Sequence, residues 1–158
     1  MSSAHRAQLF NMIRIQNDKG EVLVLDKVKR NGWEGLTFPG GKIEPMESLA
    51  DSVRREAWEE TGLRLGRIQY CGSVSWVFED DPDFRMLGLL FRCDEFEGEI
   101  HASDEGALFW MDEEVFLRTE PKSDSMNELL AIYAGKATEV VIRYRGEEKI
   151  DSVFFGEE

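Results

Sequence analysis

The sequence predicts an α/β protein in which a mixed β-sheet lies between helices, an α/β/α sandwich. Strand-like runs occur along the whole chain, and two segments have helical spacing instead. The first helical segment stands between strand-like runs, so its apolar face has a sheet to pack on. The 158 residues, of which 42% are hydrophobic, fit a single domain spanning residues 1–158 with a substantial core.

The N-terminal part predicts a β-hairpin followed by a basic loop. Residues 7–15 and 21–25 are rich in strand formers, and Asn-Asp-Lys-Gly at 17–20 is a turn signal between them. The polar and basic segment that follows contains Lys27 and leads to Trp33. A solvated loop explains this composition; alternatively, one of the cations Lys27, Lys29 and Arg30, with Lys27 as our choice, contacts a phosphate and Trp33 forms a wall of a binding site.

A short strand, a glycine turn and a helix are predicted next. Leu36 and Phe38 indicate a buried strand, which Pro-Gly-Gly at 39–41 should end because proline lacks a backbone donor. Pro45 is tolerated in a first helical turn, and Gly62 suits the left-handed position just past a helix end. We therefore expect a helix of about four turns between them.

Carboxylates border the apolar face of this helix. At about 100° per residue, one apolar stripe contains Met46, Leu49, Ala50, Val53 and Ala57. Glu60 falls about 20° from the line of Val53, and Glu56 about 60° away on the same side, with Glu59 next to them. Two acids about 4 Å apart repel by about 4 kcal/mol at an effective dielectric of roughly 20. A Glu-rich surface helix is the ordinary interpretation of such a run, but these positions favour a bound cation.

A long hairpin follows the helix. Residues 67–78 and 84–93 are strand-like, and an acidic turn at 79–83 joins them. The even positions of the first strand should share a face, since side chains alternate along a strand. Trp76 or Phe78 on that face is either part of the core or an aromatic surface on which a base stacks.

The C-terminal part predicts a loop, a short strand, a helix and a second hairpin. Residues 94–104 are acidic and read as a loop, and residues 107–111 are strand-like. Helical spacing runs through 121–134, with Gly135 at its end. Residues 140–145 and 149–155 form the terminal hairpin about Arg-Gly-Glu.

The spacing of the glycines and acids identifies the central segment. The pattern is Gly41, five residues, Glu47, seven residues, Arg55-Glu56, Ala57, one residue, Glu59-Glu60, one residue, Gly62 and Leu63. It resembles the Nudix box at every fixed polar and glycine position. Ala57 is smaller than the Ile, Leu or Val that the family more often carries. So many fixed positions outweigh the interpretation as a plain surface helix, and the resemblance implies the same sandwich fold.

The resemblance also implies a metal site. Glu56, Glu59 and Glu60 match the family's metal ligands, and the carbonyl of Gly40 completes the set. Oxygen ligands of this kind suit Mg²⁺, with Mn²⁺ as an alternative, and both ions bridge to substrate phosphates.

Three further residues receive catalytic roles from the same resemblance. Arg55 matches the arginine that orients the acids, and Glu47 matches the acid that pairs with it. Glu105 stands in a loop where many family members place a further ligand or a base. Sequence leaves open whether the general base is Glu105 or one of the acids of the box.

Composition limits the partners and the compartment. The net charge of −13 argues against a nucleic acid polymer as partner, whereas a small nucleotide can enter with its metal. Cys71 and Cys93 are isolated, which favours free thiols in a reducing compartment over zinc ligands or a disulfide. The longest apolar run, residues 86–91, is too short to cross a membrane. We expect a cytoplasmic protein without a membrane partner, and the sequence leaves open a homodimer.

The resemblance implies hydrolysis of a nucleoside diphosphate linked to a group X. The short chain, the Thr-Phe-Pro-Gly-Gly run at 37–41, and Asp-Glu-Gly at 104–106 followed by Trp110 are similar to the MutT-type nucleoside triphosphate pyrophosphohydrolases, which remove oxidised purine nucleotides such as 8-oxo-dGTP. Relatives that read purines often carry Trp with aspartates before the second helix, and here that region has Asp124 without Trp.

Two other functions stay open at this point. An ADP-ribose or nucleotide-sugar pyrophosphatase would use the same metal site. A non-catalytic nucleotide-sensing module is disfavoured, because such modules usually lose acids of the box and this chain keeps all of them.

Overall fold

The computed structural model describes residues 4–27, 34–101 and 104–156. The helices in these ranges are α1 (Leu49–Thr61), α2 (Glu113–Arg118) and α3 (Met126–Tyr133). The strands are β1 (Arg6–Ile15), β2 (Glu21–Lys27), β3 (Gly35–Thr37), β4 (Gly40–Lys42), β5 (Arg64–Leu65), β6 (Gln69–Phe78), β7 (Phe84–Cys93), β8 (Phe96–Glu97), β9 (Gly106–Asp112), β10 (Glu139–Arg145) and β11 (Glu148–Phe155).

A six-stranded mixed sheet in the order β11-β10-β6-β7-β1-β4 forms the centre of the fold. Strand β1 runs parallel to β7, and β10 runs parallel to β6, whereas the other neighbours are antiparallel. A smaller sheet has the order β3-β2-β9, and β5 pairs with β8. The predicted α/β fold with a mixed sheet is confirmed.

Two hydrophobic cores lie on opposite faces of the central sheet. On one face, Val53 of α1 packs with Ile13 of β1 and Leu89 of β7. On the other face, Leu129 of α3 packs with Leu90 of β7. Leu89 and Leu90 are neighbours in one strand, and the alternation of side chains sends them to different cores.

The predicted first hairpin is wrong, although its strands and turn are present. Strand β1 pairs with β7 and β4, while β2 pairs with β3 and β9, so the two strands enter different sheets. A single bridge from Gln16 to Val22 joins them. Both edges of β1 are already taken by other strands, and β2 is buried from Val22 to Leu25 by packing between the two cores.

Helix α1 begins later than the proline predicts. Ser48 is its N-cap, and the Ser48 hydroxyl accepts a hydrogen bond of 3.0 Å from the backbone N–H of Asp51. Pro45 and Met46 lie in the turn before the helix, and Met46 is fully exposed, so it is not part of the apolar stripe. Gly62 ends the helix with φ of 83°, as predicted.

Two other elements differ from the prediction. Strand β3 ends before Pro39, as predicted, but Gly40 and Gly41, predicted as a turn, themselves form β4 beside β1. Helix α2 was not predicted; it begins after Asp112, whose carboxylate accepts from the N–H of Val115 at 3.1 Å. The long hairpin β6–β7 and the terminal hairpin β10–β11 are confirmed.

Both cysteines are free thiols, with Cys71 half-buried and Cys93 buried. In the part of the chain that the structure describes, none of the helices combines the length and the apolar character needed to cross a membrane.

Candidate functional site

Two glycines of strand β4 leave room for the Glu56 carboxylate of α1 and for the backbone of β1. A Cβ atom at Gly41 would lie 2.3 Å from the carboxylate carbon of Glu56. A Cβ atom at Gly40 would lie 2.2 Å from the backbone oxygen of Asn11 in β1. Separations under about 3 Å do not occur for real side chains, so Gly41 lets the carboxylate of Glu56 reach the strand, and Gly40 lets β4 lie close to β1.

Arg55 connects the acids of α1 to the loop before the helix. Its Nε and Nη2 atoms donate to the two carboxylate oxygens of Glu47 at 2.7 and 3.0 Å. Its Nη1 atom donates to Glu56 at 3.2 Å and to Glu59 at 3.3 Å, and Nη2 also donates to the carbonyl of Lys42 at 3.0 Å. This two-point pairing fixes the plane of the guanidinium and orients the acids around it.

Glu56 and Glu60 lie in surroundings that disfavour their charge. Burial, followed by the charge of Glu56, raises the pKa of Glu60 to about 8, against a hydrogen bond from the N–H of Gly40. Burial also raises the pKa of Glu56, although Arg55 opposes the shift. Glu105 raises both pKa values, so this loop acid lies within electrostatic range. Carboxylates held this way favour a cation between them.

The pairing of Arg55 with Glu47 shifts their pKa values so that both residues stay charged, whereas burial disfavours the charged forms of Glu56 and Glu60. The Arg55 guanidinium lowers the pKa of Glu47, and the pairing raises the pKa of Arg55 further above its ordinary range. This pair therefore stays ionised, which suits a positioning role.

A cleft of about 720 Å³ joins these acids to an apolar region between the sheet and α3. Its polar end is lined by Lys27, Lys42, Glu44, Arg55, Glu56, Glu59, Glu60 and Glu105. Its apolar end is lined by Phe10, Phe38, Trp76, Met86, Gly88, Leu90 and Leu129, with Asp124 at the same end. Within one cleft, acids and cations thus lie next to an aromatic wall.

The structure brings together most of the residues that the sequence singled out. Lys27 and Glu105 line the cleft with the acids of α1. Trp33 lies outside the described residues. Phe78 is not among the described residues of the cleft wall: its ring stacks on Phe84 and Tyr144 at centroid distances of 5.9 and 5.8 Å.

The aromatic side chain at the cleft is Trp76, the alternative that the sequence left open. Trp76 and Phe78 share a strand face, but two residues span about 7 Å along a strand. Phe78 therefore lies nearer the end of the hairpin, where it packs on other rings.

A hydrogen-bonded chain supports the apolar end. The indole N–H of Trp76 donates to the hydroxyl of Ser125 at 3.1 Å, and that hydroxyl donates to Asp124 at 3.0 Å. The Tyr144 hydroxyl donates to the same oxygen of Asp124 at 2.5 Å. Burial and this pairing raise the pKa of Tyr144 to about 12, so the phenol keeps its proton.

Sequence reasoning missed two cleft residues, Asn11 and Gly88, that carried a signal. Asn11 is a polar residue on the inward side of β1, and its amide donates to Ser52 of α1 at 2.9 Å. Gly88 interrupts the apolar run of β7, and such a glycine often marks a close approach.

The donor set around Glu56 fits a hard divalent cation. The side chains are carboxylates, the ligand type of Mg²⁺ and Mn²⁺, and Gly40 lines the same cleft. Side-chain exposure differs: Glu56 is 13% exposed and Glu59 is 56% exposed. In the ranges that the structure describes, no three acidic, histidine or cysteine side chains converge into a preformed metal cluster.

Fold and box spacing together define the family. The NUDIX domain model matches residues 5–131, and the chain belongs to the Nudix family. Its structure is similar to that of a MutT protein from Bacillus halodurans, with a TM-score of 0.77 and 26% identity. That likeness covers 96% of this chain and 99% of the other.

Curated relatives carry several names. The Nudix hydrolase YvcI of Bacillus subtilis is 35% identical over 65% of this chain and 63% of its own length. The NAD-capped RNA hydrolase NudC of Actinobacillus succinogenes is 39% identical over 48% of this chain and 27% of its own length. The oxidized purine nucleoside triphosphate hydrolase of Danio rerio is 32% identical over 51% of this chain and 49% of its own length. The matched part spans less than two thirds of each of these relatives.

Proposed function

We propose that the protein is a metal-dependent pyrophosphohydrolase of nucleoside triphosphates that releases the monophosphate and pyrophosphate. An oxidised purine nucleotide such as 8-oxo-dGTP is the preferred substrate. One observation carries the proposal: a single cleft has acids with raised pKa values at one end and an apolar, tryptophan-lined wall at the other. Phosphates with their metal suit the first end, and a planar base suits the second.

Glu56, Glu59 and Glu60, with the Gly40 carbonyl, would hold Mg²⁺, and Mn²⁺ could replace it. The ion would neutralise phosphate oxygens and lower the pKa of a bound water. The half-buried Glu56 and Glu60 would gain most, because the ion would offset the burial and the neighbouring negative charges that raise their pKa values.

Arg55 and Glu47 act as positioning residues in this proposal. Their two-point ion pair leaves one guanidinium nitrogen to hold Glu56 and Glu59. Glu105 faces the same acids across the cleft and is a candidate general base, with Glu56, Glu59 and Glu60 as the alternatives. The base takes a proton from the attacking water.

Lys27 is the cation proposed to contact a substrate phosphate. It lines the cleft, and its charge lowers the pKa of Glu60, so it lies on the side where the phosphates would bind. Trp33 follows closely in sequence and is proposed as a further wall of the site. A surface of net charge −13 suits a small substrate that arrives with a metal ion, not a nucleic acid polymer. The free thiols suit a reducing, cytoplasmic setting.

A second candidate is a nucleoside diphosphate joined to another group, such as ADP-ribose or a nucleotide sugar. The similarity to a protein named as an NAD-capped RNA hydrolase favours it, because NAD contains such a diphosphate bridge. The same acids and metal would serve, and only the group beyond the diphosphate differs.

A nucleotide panel separates the candidates. The protein with Mg²⁺ is incubated with natural and oxidised nucleoside triphosphates, ADP-ribose, NAD and a nucleotide sugar, and pyrophosphate and phosphate are measured separately. We expect pyrophosphate from triphosphates, fastest from 8-oxo-dGTP. Rapid cleavage of ADP-ribose with inert triphosphates would select the second candidate, and phosphate released from the γ position would contradict the proposed reaction.

A further inference from the structure

Asn11 is a polar residue in an apolar part of the central sheet. It is 4% exposed in β1, on the face against which α1 packs, and the next residues of β1 on that face, Ile13 and Ile15, belong to the core. The amide nitrogen of Asn11 donates to the hydroxyl of Ser52 in α1 at 2.9 Å. Buried polar atoms are normally all hydrogen-bonded, because a buried polar atom without a partner costs free energy.

The amide oxygen of Asn11 departs from this rule. Its Oδ1 atom is buried and has no hydrogen-bond partner in the part of the chain that the structure describes. An amide oxygen accepts hydrogen bonds or binds a cation, and it cannot donate. Asn11 lines the cleft that holds the acids of α1, so a group bound in that cleft can supply the missing partner.

The carboxylate of Glu56 lies next to this amide. Asn11 stands directly opposite Gly41 in the pairing of β1 with β4, and the Cβ positions of opposite residues are about 4.5–5.5 Å apart. The Cβ position of Gly41 is 2.3 Å from the carboxylate carbon of Glu56. Ser52, to which Asn11 donates, lies one helical turn before Glu56 and so on the same face of α1. Asn11 and Glu56 therefore converge at Gly41.

Two neighbouring acceptors need a donor or a cation between them. An ionised carboxylate and an amide oxygen both accept, so Glu56 and Oδ1 of Asn11 cannot bond to each other. The Ser52 hydroxyl does not serve Oδ1, since it donates to the carbonyl of Leu49 at 2.7 Å. A divalent ion held by Glu56 would bring suitable donors, because Mg²⁺ keeps several of its water molecules when it binds to a protein.

We propose that Asn11 is a positioning residue of the metal site, whose amide oxygen accepts a hydrogen bond from a water molecule on the divalent ion. The inference rests on the proposed function, because it takes Glu56 as a ligand of that ion. Hydrogen bonds of this kind orient the groups around an ion, and their loss typically lowers metal affinity about 10- to 100-fold.

Binding of Mn²⁺ to the protein without nucleotide tests the inference by calorimetry. Asn11→Leu keeps the size of the side chain but has no acceptor, and it should bind Mn²⁺ about tenfold or more weakly than the wild type. Asn11→Asp keeps an acceptor oxygen and should bind Mn²⁺ at least as tightly as the wild type. Equal affinity in the wild type and Asn11→Leu, or equal weakening in Asn11→Leu and Asn11→Asp, overturns the inference.

Ser52→Ala is the matched control, because it removes the contact between β1 and α1 but leaves Oδ1 of Asn11 in place. It should weaken Mn²⁺ binding less than Asn11→Leu does. In urea with EDTA, Asn11→Leu should be at least as stable as Ser52→Ala, since Ser52→Ala leaves the whole amide of Asn11 unpaired. If Ser52→Ala weakened Mn²⁺ binding as much as Asn11→Leu, or if Asn11→Leu were the less stable variant, Asn11 would only hold the helix in place and the inference would be overturned.

Turnover of triphosphates is measured separately from metal binding. Mn²⁺ binding that depends on Asn11 in a protein that does not cleave triphosphates would support the inference and contradict the proposed reaction. A wild-type protein that binds no Mn²⁺ would overturn both.

Discussion

Arg55 spans the acids of the cleft, and its contacts separate their roles. Glu47 receives the two-point pairing and keeps a lowered pKa, whereas the burial of Glu56 outweighs the single contact from Arg55 and its pKa is raised. Glu60 takes a hydrogen bond from the N–H of Gly40 and has the pKa of about 8. Glu47, which is paired with Arg55, is expected to hold that arginine in position. Glu56 and Glu60, whose pKa values are raised, are expected to bind the cation.

Replacing Glu60 with Gln tests the metal role at the residue scale. Activity with Mg²⁺ should fall by more than about 100-fold, because a charged ligand is lost and not merely a supporting contact. Stability without metal should be equal or higher, since Gln removes the free-energy cost of burying an acid that the unfolded state ionises. Steady-state kinetics and urea denaturation measure the two effects, and near-normal turnover would contradict the assignment.

Replacing Arg55 with Lys tests the positioning role. The charge stays, but the planar fork that pairs with Glu47 at two points is lost. We expect kcat to fall by about tenfold or more with a smaller change in KM, because the acids are misplaced while substrate contacts remain.

Arg54→Lys is the matched control for Arg55→Lys. Its guanidinium donates to the carbonyls of Leu65 and Gly66 rather than to the acids. A change confined to KM in Arg55→Lys would place Arg55 on the substrate instead.

At the scale of elements, the site depends on the contact between α1 and β4. The helix presents Glu56 toward a strand whose Gly41 has no side chain. The paired strand β1 supplies Asn11, which donates to Ser52 one turn before Glu56. The capped start of α1 at Ser48 and its end at Gly62 fix which turns face that strand.

Gly41→Ala tests this contact. The new methyl group would overlap the Glu56 carboxylate, so the helix or the carboxylate must move. We expect weaker Mn²⁺ binding, because the displaced carboxylate is a proposed ligand, and a loss of less than about 1 kcal/mol in the free energy of unfolding, below the usual cost of core overpacking, since only the flexible end of Glu56 has to move. Denaturant titration measures the free energy of unfolding, and calorimetry measures Mn²⁺ binding.

Gly66→Ala serves as the control for Gly41→Ala. Its Cβ would lie 3.0 Å from the Glu95 side chain, away from the acids of α1. Mn²⁺ affinity equal to the wild type in Gly41→Ala would show that the acids do not need this close approach.

At the scale of the whole molecule, metal binding and folding stability are linked through Glu60. Its pKa is 4.5 in an ordinary setting and about 8 in the folded, metal-free protein. Between these values the folded state holds a proton that the unfolded state has released. The free energy of unfolding should therefore fall as pH rises from about 5 to about 8, since stability falls wherever the unfolded state binds fewer protons.

Urea denaturation with EDTA at pH 5 and pH 8 measures this dependence. The Glu60→Gln variant should show a smaller fall than the wild type, since the titrating group is gone. Added Mg²⁺ at pH 8 should raise the stability of the wild type, because an ion that binds only the folded state stabilises it. If the free energy of unfolding fell by the same amount in both proteins, groups other than Glu60 would be responsible for the pH dependence.

The sequence by itself determined the local features of the site. Helix α1, its end at Gly62, and the acids flanking Arg55 follow from spacing within residues 41–63, because a helix converts short-range sequence order directly into position. The long hairpin β6–β7 follows from the alternation of its two strands and the turn signal between them, which are also short-range features of the sequence.

Only the tertiary structure decided what meets across the chain. Strand β2 has a clear strand pattern, but it pairs with β3 and β9 and not with β1 as predicted. The alternation of apolar residues predicts a strand but does not specify which strand it pairs with. Trp76 and Phe78 lie on the same face of β6, so alternation does not distinguish them. Phe78 packs on other rings at the end of the hairpin, and of the two only Trp76 lines the cleft. Glu105 lies beside Lys27 at the cleft because β9 pairs with β2, with Lys27 opposite Gly106, a contact between residues about eighty positions apart in the chain that no local pattern encodes.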